Sequence, residues 1–253
     1  MSEIMTMAKE QAHGAWVIAK KNALLYYLKP PVLIFGVLFP VFFFLAFKMG
    51  RDIPPVRVVP GMVAMALWFT ASAVGPLVTP WERRAKTYER LICSPLSLRT
   101  IVVGDVLSGF LFGAVFTLIP IVLGLVLTDA AVTRPLVLLA GLLLGALAFA
   151  ALGVLLASPP ASSPSHIMML SNIVRLPLIF VSGIFVPIGD MPGWAQVAAP
   201  VSPLSYAGDL IRRGFGQPGY FPVALSVPVL VGFVLVMLFG ACKFHKMWRA
   251  KGL

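Results

Sequence analysis

Residues 79–97, Thr-Pro-Trp-Glu-Arg-Arg-Ala-Lys-Thr-Tyr-Glu-Arg-Leu-Ile-Cys-Ser-Pro-Leu-Ser, bring charged and aromatic side chains together in one short segment. Thr79 is placed to cap a helix, with Pro80 at its first position and Glu82 at its third, the pattern of a capping box. On such a helix Trp81, Ala85, Tyr88, Leu91 and Ile92 share one face, while Glu82, Lys86, Glu89 and Arg90 share the other. Glu82 and Lys86 stand at the favourable i,i+4 spacing, and Ser94-Pro95 stops the helix. The pattern suits contact rather than catalysis: the apolar face can pack, and Glu82, Glu89 and Arg90 can make charged contacts. The plainer alternative is a solvated basic loop that only fixes topology.

A second group of residues is defined by where it lies. Arg175 falls deep in an apolar run, where a charge costs about 2.5–3.5 kcal/mol on insertion scales. It could face a pathway and attract an anionic group, or bond structurally to Asn172 or a backbone carbonyl. Met168 and Met169 could line a soft, adaptable surface or simply touch lipid and core. Asp105 is expected to pair with a base at a membrane edge, and His13 and His166 to be interfacial. A third group lies between residues 182 and 214. The preceding run breaks at Ser182-Gly183, Pro187 follows, and Pro192 can start a short helix with Trp194, Val197 and Ala198 as its apolar stripe. Tyr206–Arg213 reads as another short helix ending at Gly214.

The elements that must position these residues are membrane spans. The chain is 59% hydrophobic and 11% charged with a mean hydropathy of +0.95, against about 25% charged in a soluble domain. About 20 mostly apolar residues cross a hydrocarbon core of about 30 Å, and the backbone there must be helical. Six runs qualify: Val32–Phe47, Val58–Thr79, Thr100–Leu127, Leu136–Ala157, Ile167–Ile188 and Phe221–Phe244. The first is short and holds Pro40, so Lys48 is expected to snorkel to the far interface. Pro120 and Pro177 sit in the third and fifth spans, where neighbours can satisfy the freed carbonyls. Gly141 and Gly145 are either a close-packing pair or ordinary glycine usage. Ahead of the spans, Ala8, Ala12, Trp16, Ala19, Ala23 and Tyr26 oppose Lys9, Glu10, His13, Lys20 and Lys21, which predicts an interfacial helix.

Charge sets the orientation. With the N-terminus inside, thirteen lysines and arginines fall on the cytoplasmic side and six outside, with Arg175 within a span, as the positive-inside rule requires. Both termini are then cytoplasmic. The first apolar run begins at Val32, behind a charged stretch, and continues into a span, unlike a cleaved signal peptide. The net charge of +11 fits lysines and arginines beside anionic lipid better than nucleic-acid binding. Cys93 and Cys242 both fall on the cytoplasmic side, where a disulfide is not expected, and neither has metal-ligand spacing to another Cys or His.

Two segments together resemble type-2 ABC exporter permeases. One is Glu82…Thr87-Tyr88-Glu89-Arg90-Leu91…Ser94-Pro95-Leu96-Ser97. The other is Leu176-Pro177…Phe180-Val181-Ser182-Gly183-Ile184-Phe185-Val186-Pro187…Met191-Pro192-Gly193-Trp194, followed by Pro203-Leu204-Ser205-Tyr206 and Asp209 with Arg212 or Arg213. The likeness covers nearly the whole chain in length and span order, and it is nearest to compact prokaryotic permeases of drug, polyketide and nodulation-factor exporters.

The resemblance implies an all-α membrane protein: an interfacial helix in residues 1–31 and a six-span permease domain in 32–253, with short outer re-entrant helices between spans five and six. It implies dimerisation with a second copy or a similar permease in a prokaryotic inner membrane. It further implies two copies of a separate ATPase that binds ATP and Mg, so that the chain itself needs no cofactor. Glu82, Arg83, Thr87, Tyr88, Glu89, Arg90 and Leu91 would form the ATPase-coupling helix. Met168, Asn172 and Arg175 would line the substrate pathway, and Pro187, Met191, Trp194 and Tyr206 would form the outer gate. Arg84 and Lys86 depart from the acidic residue and glycine of many relatives, and Asp105 from a common base.

Two other classes are weighed against this one. A membrane transferase would need clustered acids, histidines or a nucleophile at one depth, whereas Asp105, His166, Ser171 and Arg175 are scattered. A channel would need a charged ring or filter repeat. The chain has no Gly-x-x-x-x-Gly-Lys-Ser/Thr phosphate loop, so nucleotide hydrolysis would have to come from a partner. Apolar walls favour a hydrophobic or amphipathic substrate.

Overall fold

The computed structural model describes residues 2–26, 54–159 and 163–250, with Ile34, Leu38 and Phe42 as isolated positions between the first two stretches. The expected first span, Val32–Phe47, otherwise lies outside the described residues. Every regular element among those described is helical. They are α1 (Ser2–Tyr26), α2 (Pro55–Arg84), α3 (Thr87–Ile92), α4 (Leu98–Leu127), α5 (Pro135–Ala157), α6 (Pro164–Val181), α7 (Gly193–Ala198), α8 (Pro203–Gly214) and α9 (Val223–Ala250). Single 3-10 turns at Ile188–Asp190 and Ala199–Val201 flank α7. Among the described residues five helices, α2, α4, α5, α6 and α9, are long and apolar enough to cross a membrane.

Local chemistry explains the helix starts. Proline stands in the first turn of α2, α5, α6 and α8, where its missing N–H costs nothing. Ser97 caps α4, its hydroxyl accepting the Thr100 N–H at 3.2 Å. The interior prolines Pro120 and Pro177 are accommodated within α4 and α6.

α2 is the axis of the bundle and is largely buried between α4, α5 and α8. With no hydrophobic drive between helices in lipid, close backbone packing has to hold them together, and glycines supply it. A Cβ on Gly75 would lie 2.5 Å from the Gly153 carbonyl carbon, and one on Gly113 would lie 2.6 Å from the Ala71 Cβ. Trp68 of α2 meets Phe149 of α5 edge-on at 4.8 Å. Gly141 and Gly145 are a packing pair: Cβ atoms there would lie 2.8 Å from Leu210 Cβ and 3.0 Å from Ala207 Cβ. Their partner is the short helix α8.

The expected start of a separate helix at Thr79 is corrected. α2 runs on through Thr79, Pro80 and Glu82 to Arg84, so these residues are helix interior and Thr79 Oγ1 is buried without a hydrogen-bond partner. Pro80, like Pro60 and Pro76, lies inside α2 without ending it, as prolines do in membrane helices when neighbouring groups satisfy the freed carbonyls. The break comes instead at Ala85–Lys86, where Lys86 adopts φ 56°, and α3 begins only at Thr87.

Candidate functional site

The corner between α2 and α3 is bound to three other elements at the end of the bundle that carries most of the lysines and arginines. Arg83 donates to the Pro159 and Ser158 carbonyls at 3.1 and 3.2 Å, just past the end of α5. Its guanidinium also lies over the Tyr88 ring, 5.3 Å from the centroid. Tyr88 is buried and its hydroxyl shares a 2.7 Å hydrogen bond with His245 Nδ1 on α9. Burial pushes the Tyr88 hydroxyl up to about 12, against the pull of Arg83, so it keeps its proton at any physiological pH. Thr87 Oγ1 donates to the Glu82 carbonyl at 3.2 Å and closes the corner.

The two expected faces are not observed, because the break at Lys86 rotates α3 relative to α2. Glu82, expected among the outward charges, is 3% exposed and ion-paired with Lys21 of α1. Trp81 and Ala85, expected on the packed face, are exposed, Trp81 by 44%. Tyr88 and Leu91 do turn inward, packing in a cluster with Ile18, Leu96 and Ile101. Arg84, Lys86 and Arg90 are exposed.

α1 lies along the first half of α4 and is held there by polar contacts between buried faces. Asn22 Nδ2 donates to Asp105 Oδ1 at 2.8 Å and to Ser108 Oγ at 3.4 Å. Gln11 Oε1 accepts the Ser97 N–H at 3.0 Å and the Thr100 hydroxyl. Gly104 lets Ile18 approach within 2.8 Å of its Cβ position. Asp105 therefore pairs with an amide rather than the expected base. The face of α1 that packs is Gly14, Ala15, Ile18, Ala19 and Asn22, while Trp16, Val17, Leu24 and Leu25 are exposed.

Arg175 of α6 is 5% exposed. Nη2 donates to the Phe69 carbonyl of α2 at 3.3 Å and the guanidinium lies 5.2 Å from the Phe69 ring centroid, whereas Nε has no partner. Of its expected neighbours Asn172 is exposed and Met168 half-buried, so the backbone carbonyl is the partner and Asn172 is not.

At the opposite end, α6 stops where Gly183 takes φ 81°, as its position after Ser182 predicts. Arg212 of α8 donates to the carbonyls of Gly183 and, at 3.4 Å, Ile184. Arg213 donates to Gly219 and Phe221 carbonyls at 2.9 Å each, and Asp209 Oδ2 accepts the Phe221 N–H at 2.7 Å. α8 thereby clamps the end of α6 and the turn into α9. Tyr206 is buried and stacked on Phe221 at 4.5 Å, and Met191 is buried. Pro187 and Trp194 are exposed, Trp194 by 72%, beside the exposed Val197 and Val201.

Sequence reasoning missed His245, Asn22 and Gln11. Each was hidden by its surroundings: His245 among the lysines of the C-terminal segment, Asn22 and Gln11 among the charges of α1. An uncharged polar residue on the small-residue face of α1 was the available signal.

Residues 13–216 match the model of the ABC-2 type transporter family, and the chain belongs to that family. Its class is therefore that of a non-catalytic membrane permease, with several spans, rather than an enzyme. Among named relatives it is 40% identical over 89 residues to the daunorubicin resistance ABC transporter permease protein DrrB1 of Streptomyces coeruleorubidus, over 35% of this chain and 30% of that protein. It is 28% identical over 235 residues to Nodulation protein J of Sinorhizobium fredii, over 89% of this chain and 86% of that protein. To Nodulation protein J of Bradyrhizobium diazoefficiens it is 25% identical over 188 residues, 72% and 69% of the two chains.

Proposed function

We propose that this chain is the transmembrane subunit of an ATP-driven exporter that moves a hydrophobic or amphipathic substrate out of the cytoplasm or inner leaflet. It works as a dimer in a prokaryotic inner membrane, with both termini and the α2–α3 corner cytoplasmic. Two copies of a separate ATPase bind ATP and Mg and drive it. The observation that carries this reading is the bonded corner: Arg83 ties it to the end of α5, Tyr88 to α9 and Glu82 to α1. A push on residues 83–91 therefore moves several spans together. Thr87, Glu89, Arg90 and Leu91 belong to the same lever, with Glu82 acting as its inner anchor.

Alternating exposure of a pathway at the dimer interface would carry the substrate past Met168, Asn172 and Arg175. Arg175 needs only a modest movement to offer its unpartnered Nε to an anionic group. The outer end would be closed by Pro187, Met191, Trp194 and Tyr206, with α8 joining them to α5.

Affinity purification of the tagged chain from its host in mild detergent should bring down an ATPase, and vesicles holding the complex should export an amphipathic dye when given ATP and Mg. Tyr88→Phe, which removes only the bond to His245, should leave hydrolysis near the wild-type rate and lower transport per ATP. In the same assay Arg175→Met should change the stimulation of hydrolysis by anionic substrates. Recovery of no ATPase, or wild-type coupling in Tyr88→Phe, would reject the reading.

A further inference from the structure

The corner presented to a partner is more cationic than the balanced face Glu82, Lys86, Glu89 and Arg90 expected from the sequence. Glu82 faces inward and is neutralised by Lys21, and Asp105 is buried against Asn22. Among the described side chains of residues 84–90 the charged ones, Arg84, Lys86 and Arg90, are all exposed, with Arg84 lying 5.7 Å from the Trp81 ring. Counting Glu89, which lies in the same stretch, the segment 84–90 still carries two more positive charges than negative. Arg99, Lys20, Lys243 and Lys246 are also exposed toward the same end of the bundle.

Resting on the functional reading above, we infer that Arg84, Lys86 and Arg90 form a cationic docking surface for the ATPase, whose receiving cleft is lined by carboxylates. Charge complementarity names the partner's chemistry, since opposite potentials steer and register two surfaces and like charges exclude wrong partners. Anionic lipid would also attract these cations, but two features favour a protein. α2 has 30 residues, about 45 Å at 1.5 Å per residue, against about 30 Å of hydrocarbon. Its last turn can therefore stand clear of the bilayer. Lys86, moreover, is held in a left-handed conformation, which lysine resists and which sets the sharp turn between the end of α2, bearing Arg84, and α3, bearing Arg90. A diffuse attraction to headgroups needs no such shape, whereas a cleft does.

The test uses the complex as purified from the host. With wild-type permease, ATPase retained on the affinity resin should fall steeply as NaCl rises from about 0.1 M to about 1 M, where the Debye length shrinks from about 10 Å to about 3 Å. The triple variant Arg84→Glu, Lys86→Glu, Arg90→Glu should retain about tenfold less ATPase or worse at low salt, because like charges would now face each other. The triple Ala variant should lie between. ATPase retention by the charge-reversed permease equal to wild type would overturn the inference. So would retention unchanged by charge but lost when the complex is moved from vesicles with about one-third phosphatidylglycerol to neutral ones, which would assign the cations to lipid. If no ATPase is recovered even with wild type at low salt, the functional reading itself fails, which is a separate result.

Discussion

Lys86 adopts φ 56°, in the left-handed region that favours glycine. An L-residue there costs about 1–2 kcal/mol, and the side chain is exposed, so packing does not offset it. Lys86→Gly should therefore raise the stability of the purified permease by up to about 1 kcal/mol after the larger unfolded-state entropy of glycine is allowed for. Thermal unfolding in detergent measures this, and an unchanged or lowered midpoint would show that the lysine makes a compensating contact. Under the docking reading, the same variant should weaken ATPase retention while it stabilises the permease. The residue type at 86 was legible in the sequence, but the sign of its φ was not. A capping box at Thr79 and a helix end at Lys86 use much the same residues, and only the continuation of α2 distinguishes them. The inward turn of Glu82 was hidden for a related reason, since its partner Lys21 is 61 residues away on a helix whose docking no local pattern reveals.

At the scale of elements, hydropathy and punctuation carried far. Expected spans overlap α2, α4, α5 and α9 with starts close to those expected, although α2 and α9 run on past the expected Thr79 and Phe244 to Arg84 and Ala250; α6 breaks at Ser182-Gly183, and α8 ends at Gly214. Hydropathy could not show which glycines carry the packing, because an apolar run looks the same whichever face is touched. Contacts separate them. A Cβ on Gly153 would lie 2.4 Å from the Ser72 carbonyl oxygen, whereas one on Gly232 of α9 would meet nothing within 4 Å. Gly153→Ala must push α2 and α5 apart at the centre of the bundle and should cost about 1–3 kcal/mol, the range for overpacking a core. Gly232→Ala should be neutral or stabilising by up to about 1 kcal/mol, as expected for alanine in a helix interior. The two midpoints measured side by side decide the matter: equal shifts would mean that α2 and α5 are not packed as described.

For the whole molecule, the asymmetry of charge between the two ends is the main determinant of placement. Among the described residues eleven lysines and arginines lie toward the end formed by α1, the α2–α3 corner and the last turns of α9. Four lie at the other, and Arg175 lies between. α4, α6 and α9 turn apolar side chains such as Val115, Ile173, Phe180, Val236 and Phe239 outward, which suits lipid or a second permease. Under the proposed function, the positive-inside rule predicts that the α1 end faces the cytoplasm. Two thiols can test this without disturbing the bundle. Cys93 is exposed at the basic end, just after α3, and Tyr220 is 51% exposed at the opposite end, in the turn before α9. In intact cells an impermeant maleimide should label Tyr220→Cys, in a background with Cys93 and Cys242 changed to serine, and should leave wild-type Cys93 unmodified until the membrane is opened. Labelling of Cys93 from outside, with Tyr220→Cys protected, would invert the protein. The cationic corner would then lie away from any source of ATP, and the coupling role would be lost with it.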